Sequence, residues 1–444
     1  MRDLLSPDAP LDQLVDWQQG LISGHLFVDP KLHQQESERL FPRTWLYIGH
    51  TSQFARTGDF ITTFMGADPV LAVRQADGSV SVLLNACRHR GMNVCRADAG
   101  NARAFSCPFH GWTYDVGGRL VNVPLHDTAY HGELDTSRWG LLTVPRVEQY
   151  KGLIFATFEP DAPPLLEYLG DAAWYLDCLV DRREGGTEVI GGVHKIRMHG
   201  NWKLIAEQFT GDNYHAVFAH VSAMAAWAEP GSAPPARFIS SMTAAGRQFS
   251  DRGGHGAAGF FLSKKALIGV LGTLTKDHQL VADYYESTND EVANRLGAER
   301  SRGPSSTAGL VFPTFTYLGA VFGNTSIGVC HPKGVDHFEF WRWCLVDAAA
   351  PPEVKAAMTR CFHVWPLGLA DSDDGESWSS VQSGMAGPMV RRQQYNYQMG
   401  LGHDGPDPVY PGTITPQPVG EGPQRSFYRR WLEFMTTDGW PATD

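Results

Sequence analysis

Basic charge is scarce in this sequence, and so are cysteines and long apolar runs. Lys and Arg number 37 against 48 Asp and Glu, a formal net charge of −11. The chain therefore lacks the cationic surplus with which nonspecific nucleic-acid binders neutralise phosphates. No stretch approaches the ~20 apolar residues of a membrane-spanning helix; the longest candidate, 266–274, is short and holds two glycines. The first twenty residues carry early acids and no apolar segment, so no signal peptide is expected there. Seven cysteines in 444 residues are too few for a disulfide scaffold. Clustered cysteines in a cytosolic chain serve more often as metal ligands or reactive groups. With 43% hydrophobic and 19% charged residues, whole-chain disorder is excluded. A cytoplasmic enzyme of two or three domains is the starting expectation.

Along the chain the texture changes twice. Residues 11–40 read as one or two helices, with Trp17, Leu21 and Phe27 at helical spacing and a polar QQESER face. From 41 to 158 short alternating runs such as DFITTFMG, PVLAVRQADG and GLIFATFEP are separated by Gly-containing turns, as in a small all-β domain. The pair Gly117-Gly118 between WTYDV and RLVNV reads as a hairpin turn. Beyond Pro163 helical patterns return at 165–178, 201–227, after Pro351-Pro352 and at 426–435. They alternate with strand-like runs over 309–348, which makes the second part α+β with a largely antiparallel sheet. Residues 248–308, rich in Gly, Ser and charge, are expected to form mobile loops around short helices.

The strongest local signal is Cys87-Arg88-His89, then 17 intervening residues, then Cys107-Pro108-Phe109-His110. Two thiolates and two imidazoles suit either a structural zinc or a Rieske [2Fe–2S] cluster, in which two Cys hold one iron and two His the other. Each loop supplies one Cys and one His, a division that favours the cluster over zinc-finger spacing. Gly91 and Gly111 would let backbone amides approach the cluster sulfurs. Cys95, Cys178, Cys330, Cys344 and Cys361 read as packing.

Downstream, 201–220 carries Asp212, His215 and His220. Asp212 and His215 share a helix face, but His215 and His220 lie roughly 140° apart at 3.6 residues per turn. Both reach one metal only if the helix breaks between them. A third ligand could come from the acidic run 371–376, which otherwise reads as a solvated turn. Two His and one carboxylate would leave positions open on non-haem Fe(II) for O2.

Taken together, Cys87–His110, NWK…E…D-x-Y-H-x4-H, SDDGESW and the closing SFYRRWLEFM resemble the large subunit of Rieske non-haem iron aromatic-ring-hydroxylating dioxygenases, of the naphthalene/biphenyl type, over nearly the whole chain. The resemblance implies an all-β Rieske domain over 41–158 and a helix-grip catalytic domain over 159–444, to which 1–40 belong. It implies that Cys87, His89, Cys107 and His110 bind the cluster, and that His215, His220 and Asp374 bind the mononuclear iron, with Asp373 a neighbour. Asp212 matches the carboxylate that links an iron ligand to a cluster histidine, His110, of the adjacent subunit. Pocket positions fall on Gln208, Phe209, Ala216, Met224, Val364 and Ala370. None is basic, and three are small, which suggests a bicyclic or larger arene. Gln208 and Asp371 depart from the family pattern by one methylene each.

The implied activity is insertion of both atoms of O2 into an aromatic ring to give a cis-dihydrodiol. Electrons would come from NAD(P)H through a reductase and usually a ferredoxin. A Rieske monooxygenase or demethylase acting on a substituted or carboxylated arene is the alternative. The implied assembly is a trimer of the large subunit, with or without three small β-subunits; neither a nucleic acid nor a membrane is an expected partner. One motif stands apart: Gly254-His-Gly256-Ala-Ala-Gly259 fits G-x-G-x-x-G but lacks the strand–helix context of a dinucleotide site. A flexible loop over the active-site mouth is the expected use of those glycines.

Overall fold

The computed structural model describes residues 4–6, 8–220, 246–260, 275–301, 306–321, 323–364 and 366–441. They form two compact units, one running from Phe41 to Leu165 and the other joining the first forty residues to Leu166 onward.

The contiguous unit is built on three antiparallel sheets. Its strands are β1 (Leu46–His50), β2 (Asp59–Met65), β3 (Asp68–Arg74), β4 (Val80–Leu84), β5 (Ala99–Asn101), β6 (Ala104–Ser106), β7 (Thr113–Asp115), β8 (Leu120–Asn122), β9 (Arg146–Tyr150) and β10 (Leu153–Thr157). They are ordered β4-β3-β2-β5, β8-β7-β6 and β9-β10-β1. Strand alternation sends Leu71, Val73 and Leu83 into a buried cluster that also contains Cys87, Cys107, Trp112 and Tyr114. The expected Gly117-Gly118 hairpin joins β7 and β8. Gly118 adopts φ +86°, and the Asp115 carboxylate accepts from the Gly117 and Arg119 amides at 3.0 and 2.9 Å, an Asx turn.

The second unit centres on an eight-stranded antiparallel sheet. Its strands are β11 (Thr187–His199), β12 (Gly246–Ser250), β13 (Gly256–Phe260), β14 (Ser306–Val311), β15 (Phe315–Val321), β16 (Asn324–Pro332), β17 (His337–Asp347) and β18 (Thr413–Thr415), ordered β11-β17-β16-β15-β14-β13-β12-β18. Helix α1 (Pro30–Arg39) starts with proline at its first turn, and Asp29 accepts from the Lys31 amide at 2.8 Å, so both start signals coincide. Helix α2 (Trp202–Phe209) is capped by Asn201, which accepts from the Lys203 amide at 3.1 Å. After α3 (Ala216–Ala219) come α4 (Pro352–Val364), α5 (Asp371–Met385) and α6 (Gly422–Thr436). The sheet carries α2 and α4 against β16, α5 against β11, and α6 against β12 and β13. Glu36 of α1 ties this unit together. Fully buried, it accepts from Lys203 Nζ at 2.5 Å and from the indoles of Trp202 and Trp431 at 2.8 Å each.

The helix expected over 201–227 ends at Phe209 and resumes only for the single turn α3, with 221–227 outside the described residues. The helix expected over 165–178 is two, Leu165–Leu169 and Ala172–Val180, parted at Gly170 with φ +46°. Residues 11–40 are less helical than their spacing suggests: Val15–Asp16 and Leu21–Ser23 form a ribbon with Gln394–Asn396. Residues 248–308 are not mobile loops where described, but the β12–β13 hairpin and helices Lys276–Ser287 and Asn289–Leu296. The G-x-G-x-x-G segment forms that hairpin rather than a loop over the site. A Cβ on Gly254 would meet Arg430 Cβ at 2.6 Å, and one on Gly256 would meet the Thr210 carbonyl at 2.6 Å. These glycines serve close packing. No described helix is long and apolar enough to cross a membrane.

Candidate metal centres

The two Cys/His loops repeat one hydrogen-bond pattern. The Cys87 amide donates to the Met92 carbonyl and the Gly91 amide back to the Cys87 carbonyl, both at 2.8 Å. In the second loop Cys107 donates to Trp112 at 2.8 Å and Gly111 to Cys107 at 2.9 Å. Gly91 and Gly111 adopt φ +74° and +73°, values that a side chain would strain. The glycine amides thus close the loops on the cysteine carbonyls. Both cysteines are buried, and the His89 and His110 rings sit edge-to-face at 4.6 Å. His89 also stacks on Trp112 at 5.0 Å. Burial, with help from His110 and Arg90, pulls the His89 basicity below its ordinary value, which suits a neutral ligand.

Tyr114 is a participant that the sequence did not announce. Its hydroxyl accepts from the Arg88 amide at 3.1 Å, so its proton is free to point at Cys87 Sγ, 3.3 Å away. The four side chains fit a two-iron cluster. His89 Nδ1 is buried without a hydrogen-bond partner, a lone pair available to a metal. Among the described residues, only His215, His220 and Asp374 bring three metal-capable atoms within 4.8 Å of one another. Ligands of a single tetrahedral zinc, at ~2.0–2.3 Å from the ion, would crowd at least that closely, and the Cys/His set does not. Cys95 is held by packing: Asn85 brackets its backbone through two hydrogen bonds, at 2.7 and 2.9 Å.

The second centre owes its shape to the end of α2. There the chain turns through Gly211 at φ +141°, re-enters helix at α3, and presents His215 and His220 at the two ends of that one turn. His215 Nε2 and His220 Nε2 each lie 3.5 Å from Asp374 Oδ1. The break thus resolves the angular problem that a continuous helix would pose. Behind each imidazole stands a carboxylate: Asp212 Oδ2 is 3.2 Å from His215 Nδ1, and Asp373 Oδ2 is 3.2 Å from His220 Nδ1. Such pairs fix which nitrogen faces a metal. Asp373, taken as a neighbour, therefore has a definite contact of its own.

The acidic run is not a solvated turn. It forms the first turn of α5 with Asp371 and Asp374 buried, where acids suit the helix dipole, directly after a π-helical turn over Pro366–Ala370. Asp374 Oδ1 is buried without a hydrogen-bond partner; this orphan acceptor fits a divalent cation. Burial opposes protonation of His215, yet the adjoining Asp212 outweighs it and lifts the imidazole to about 9. Burial also raises Asp374 above its ordinary range, against the pull of His215 and His220. A metal bound here competes with the proton that this environment favours on His215.

Of the pocket positions, Gln208 is the most constrained. The Trp378 indole N–H donates to Gln208 Oε1 at 2.8 Å, and an indole can only donate. That contact turns Gln208 Nε2 toward His215 Nε2, 3.3 Å away. Phe209 is buried edge-on against Phe340 at 5.8 Å, Ala216 opens α3 and Ala370 is buried beside Asp371. Val364, at the end of α4, is 47% exposed. Met224 lies outside the described residues. The signal for Trp378 was present, since it stands one helical turn after Asp374, but nothing in the sequence paired it with Gln208.

Comparison with known proteins agrees with this geometry. Residues 44–150 match the Rieske [2Fe–2S] domain, and residues 166–437 match the catalytic domain of ring-hydroxylating alpha subunits. The chain is 39% identical to the biphenyl 2,3-dioxygenase subunit alpha of Rhodococcus jostii (strain RHA1), covering 98% of this chain and 94% of that one. It is 38% identical to the benzene 1,2-dioxygenase subunit alpha of Pseudomonas putida, covering 98% and 95%. A solved naphthalene 1,2-dioxygenase with indole in its active site superposes with a TM-score of 0.86 at 30% identity, over 96% of this chain and 94% of that one.

Proposed function

The chain belongs to the ring-hydroxylating dioxygenase alpha-subunit family, with an N-terminal Rieske domain, and from that premise we propose how its residues serve the reaction. It is a terminal oxygenase that adds both atoms of O2 to an aromatic hydrocarbon, with two electrons and two protons, to give a cis-dihydrodiol. Bound iron supplies O2 activation at one centre, and a [2Fe–2S] cluster supplies electrons at the other. The observation that carries this reading is the approach of two imidazole Nε2 atoms to the buried, unpartnered Asp374 Oδ1. His215, His220 and Asp374 would hold the mononuclear iron, a two-His, one-carboxylate set of the kind that serves O2 chemistry. Cys87 and Cys107 hold one cluster iron; His89 and His110 hold the other.

Asp212 and Asp373 stand 3.2 Å from Nδ1 of His215 and His220 and orient the two rings, the second through a hydrogen bond that His220 Nδ1 donates to Asp373. Trp378 keeps the Gln208 amide nitrogen facing the metal side. Phe209 and the small side chains of Ala216 and Ala370, with Val364, shape an apolar berth, which favours a bicyclic or larger arene over a carboxylated one. Residues 1–40 and 159–444 make the catalytic domain and 41–158 the cluster domain.

The oxygenase works as a trimer, with or without small β-subunits, in which electrons cross from the cluster of one protomer to the iron of the next. His110 supports this route: it lies exposed at the loop tip beside Phe109, 58% exposed, an apolar tip suited to an interface. A ferredoxin or reductase feeds the cluster, and seven cysteines that form no disulfide with one another suit the cytoplasm. Turnover of an arene panel under 18O2 with purified reductase and ferredoxin tests the reading. A cis-diol carrying two labelled atoms is expected. A phenol or dealkylated product carrying one would make the chain a monooxygenase, and metal analysis should find three irons per chain.

A further inference from the structure

Arg342 lies midway along β17, the second strand from one edge of the large sheet, and is 2% exposed. Its Nη1 donates to Asp371 Oδ1 at 2.6 Å, and its Nη2 to Ser326 Oγ on β16 at 3.1 Å. Phe340 and Phe209 flank the guanidinium at 5.1 and 5.9 Å. The pairing is incomplete: Arg342 Nε and Asp371 Oδ2 are both buried without a hydrogen-bond partner. A buried ion pair with unmet groups on both sides is a poor stabiliser, since two well-packed apolar side chains would do as well or better. Its position suggests what it does instead. Asp371 is the first residue of α5, Asp374 stands three residues on and shares its face, and the segment entering α5 is a π-helical turn. Such turns are irregular and tend to sit at functional sites. Trp378 and Gln382 tie the later turns of α5 to Gln208, Asn201 and Phe27, and the Arg342–Asp371 pair ties its first turn to the sheet. Asp212, Asp371, Asp373 and Asp374 also crowd one small volume, and Arg342 is the permanent cation bonded into it.

Resting on the iron assignment above, we infer that Arg342 and Asp371 are positioning residues that clamp the first turn of α5 to the sheet and so set the affinity of the mononuclear site for its divalent metal. Neither touches the metal or the substrate. The clamp aims Asp374 Oδ1 at the two imidazoles, and the guanidinium offsets the charge of the neighbouring carboxylates.

The test uses purified oxygenase with its cluster loaded and the mononuclear iron removed by chelation, titrated with Co(II) and followed by its visible spectrum. Arg342→Met/Asp371→Leu replaces the pair with apolar side chains of similar volume. It should unfold at or above the wild-type temperature and keep the cluster spectrum, yet bind Co(II) at least about tenfold more weakly, the usual effect of losing a residue that orients a ligand. Wild-type Co(II) affinity in that variant overturns the clamp. Asp371→Asn keeps the volume and serves if the apolar pair misfolds: weakened binding supports the clamp and unchanged binding refutes it. Arg342→Lys, which keeps the charge but not the fork, should fall between. Asp374→Ala separates the two claims, because undiminished Co(II) binding there would remove the iron assignment itself, whatever the clamp variants do.

Discussion

The cluster loops take all four side chains from residues 87–110 and close each loop with hydrogen bonds inside itself. The proposed mononuclear site instead draws His215 and His220 from beyond the broken end of α2 and meets them with Asp374, which arrives on another helix more than 150 positions later. The first arrangement needs little beyond its own turns. The second exists only when α2, α5 and the sheet are packed in register. A local site tolerates distant damage; an assembled one inherits every weakness of the scaffold.

Four variants would break or sharpen that contrast. The largest effect belongs to Asp374→Ala, which should abolish turnover and lower the iron content from three atoms per chain to two while the visible and EPR spectra of the cluster persist; residual product would shift the ligand role to Asp373. Next is Lys203→Met, which strands the buried Glu36 carboxylate and should cost about 3–5 kcal/mol in urea unfolding. The loss should fall on the catalytic unit, with cluster absorption surviving to higher urea, and simultaneous loss of both signals would erase the distinction between the units.

Asp212→Asn should keep both metals but slow reoxidation of the reduced cluster by substrate and O2, as read in single-turnover kinetics, because a neutral amide accepts a weaker hydrogen bond. The same pair sets a pH dependence. The folded His215 value, about 9, exceeds its unfolded value of about 6.5. Its contribution to the stability of metal-free protein is therefore full below about 6.5 and lost as pH rises through 9. Thermal unfolding of the metal-free protein should show that decline, and Asp212→Asn should flatten it. The smallest effect is that of Tyr114→Phe. Removing the hydroxyl beside Cys87 Sγ should lower the cluster potential by on the order of 60 mV, the one-electron equivalent of roughly 1.4 kcal/mol. An unchanged potential in a voltammetric titration would mean that the hydroxyl points elsewhere.

The same contrast governs how far the sequence could be read. Cys87–His110 was legible because the spacing of two local loops carries nearly all the information, down to the two glycines with positive φ. For His215 and His220 the spacing showed that a helix must break, but not where, since the apolar periodicity runs on through Ala216 and Phe218. Asp374 rested on resemblance alone, because an acidic run opening a buried helix is indistinguishable in composition from one in a solvated turn. Trp378, Arg342 and Asp373 act through partners brought near only by tertiary packing, and no local pattern marks them. The glycines of 254–259 misled for the opposite reason: small residues signal either mobility or tight packing, and the β12–β13 hairpin uses them for packing.

Glu36 also imposes an order on synthesis. Its indole partner Trp431 lies 395 positions later in the chain, so the first forty residues must leave the ribosome long before the helix that receives them exists. The intervening Phe41–Leu165 unit is contiguous and can fold as soon as it emerges, since domains generally fold as units from the N-terminal side. During translation the nascent chain thus carries a finished electron-transfer module between an undocked N-terminal segment and an unfinished oxygenase, and Glu36 waits for α6 to supply its second indole.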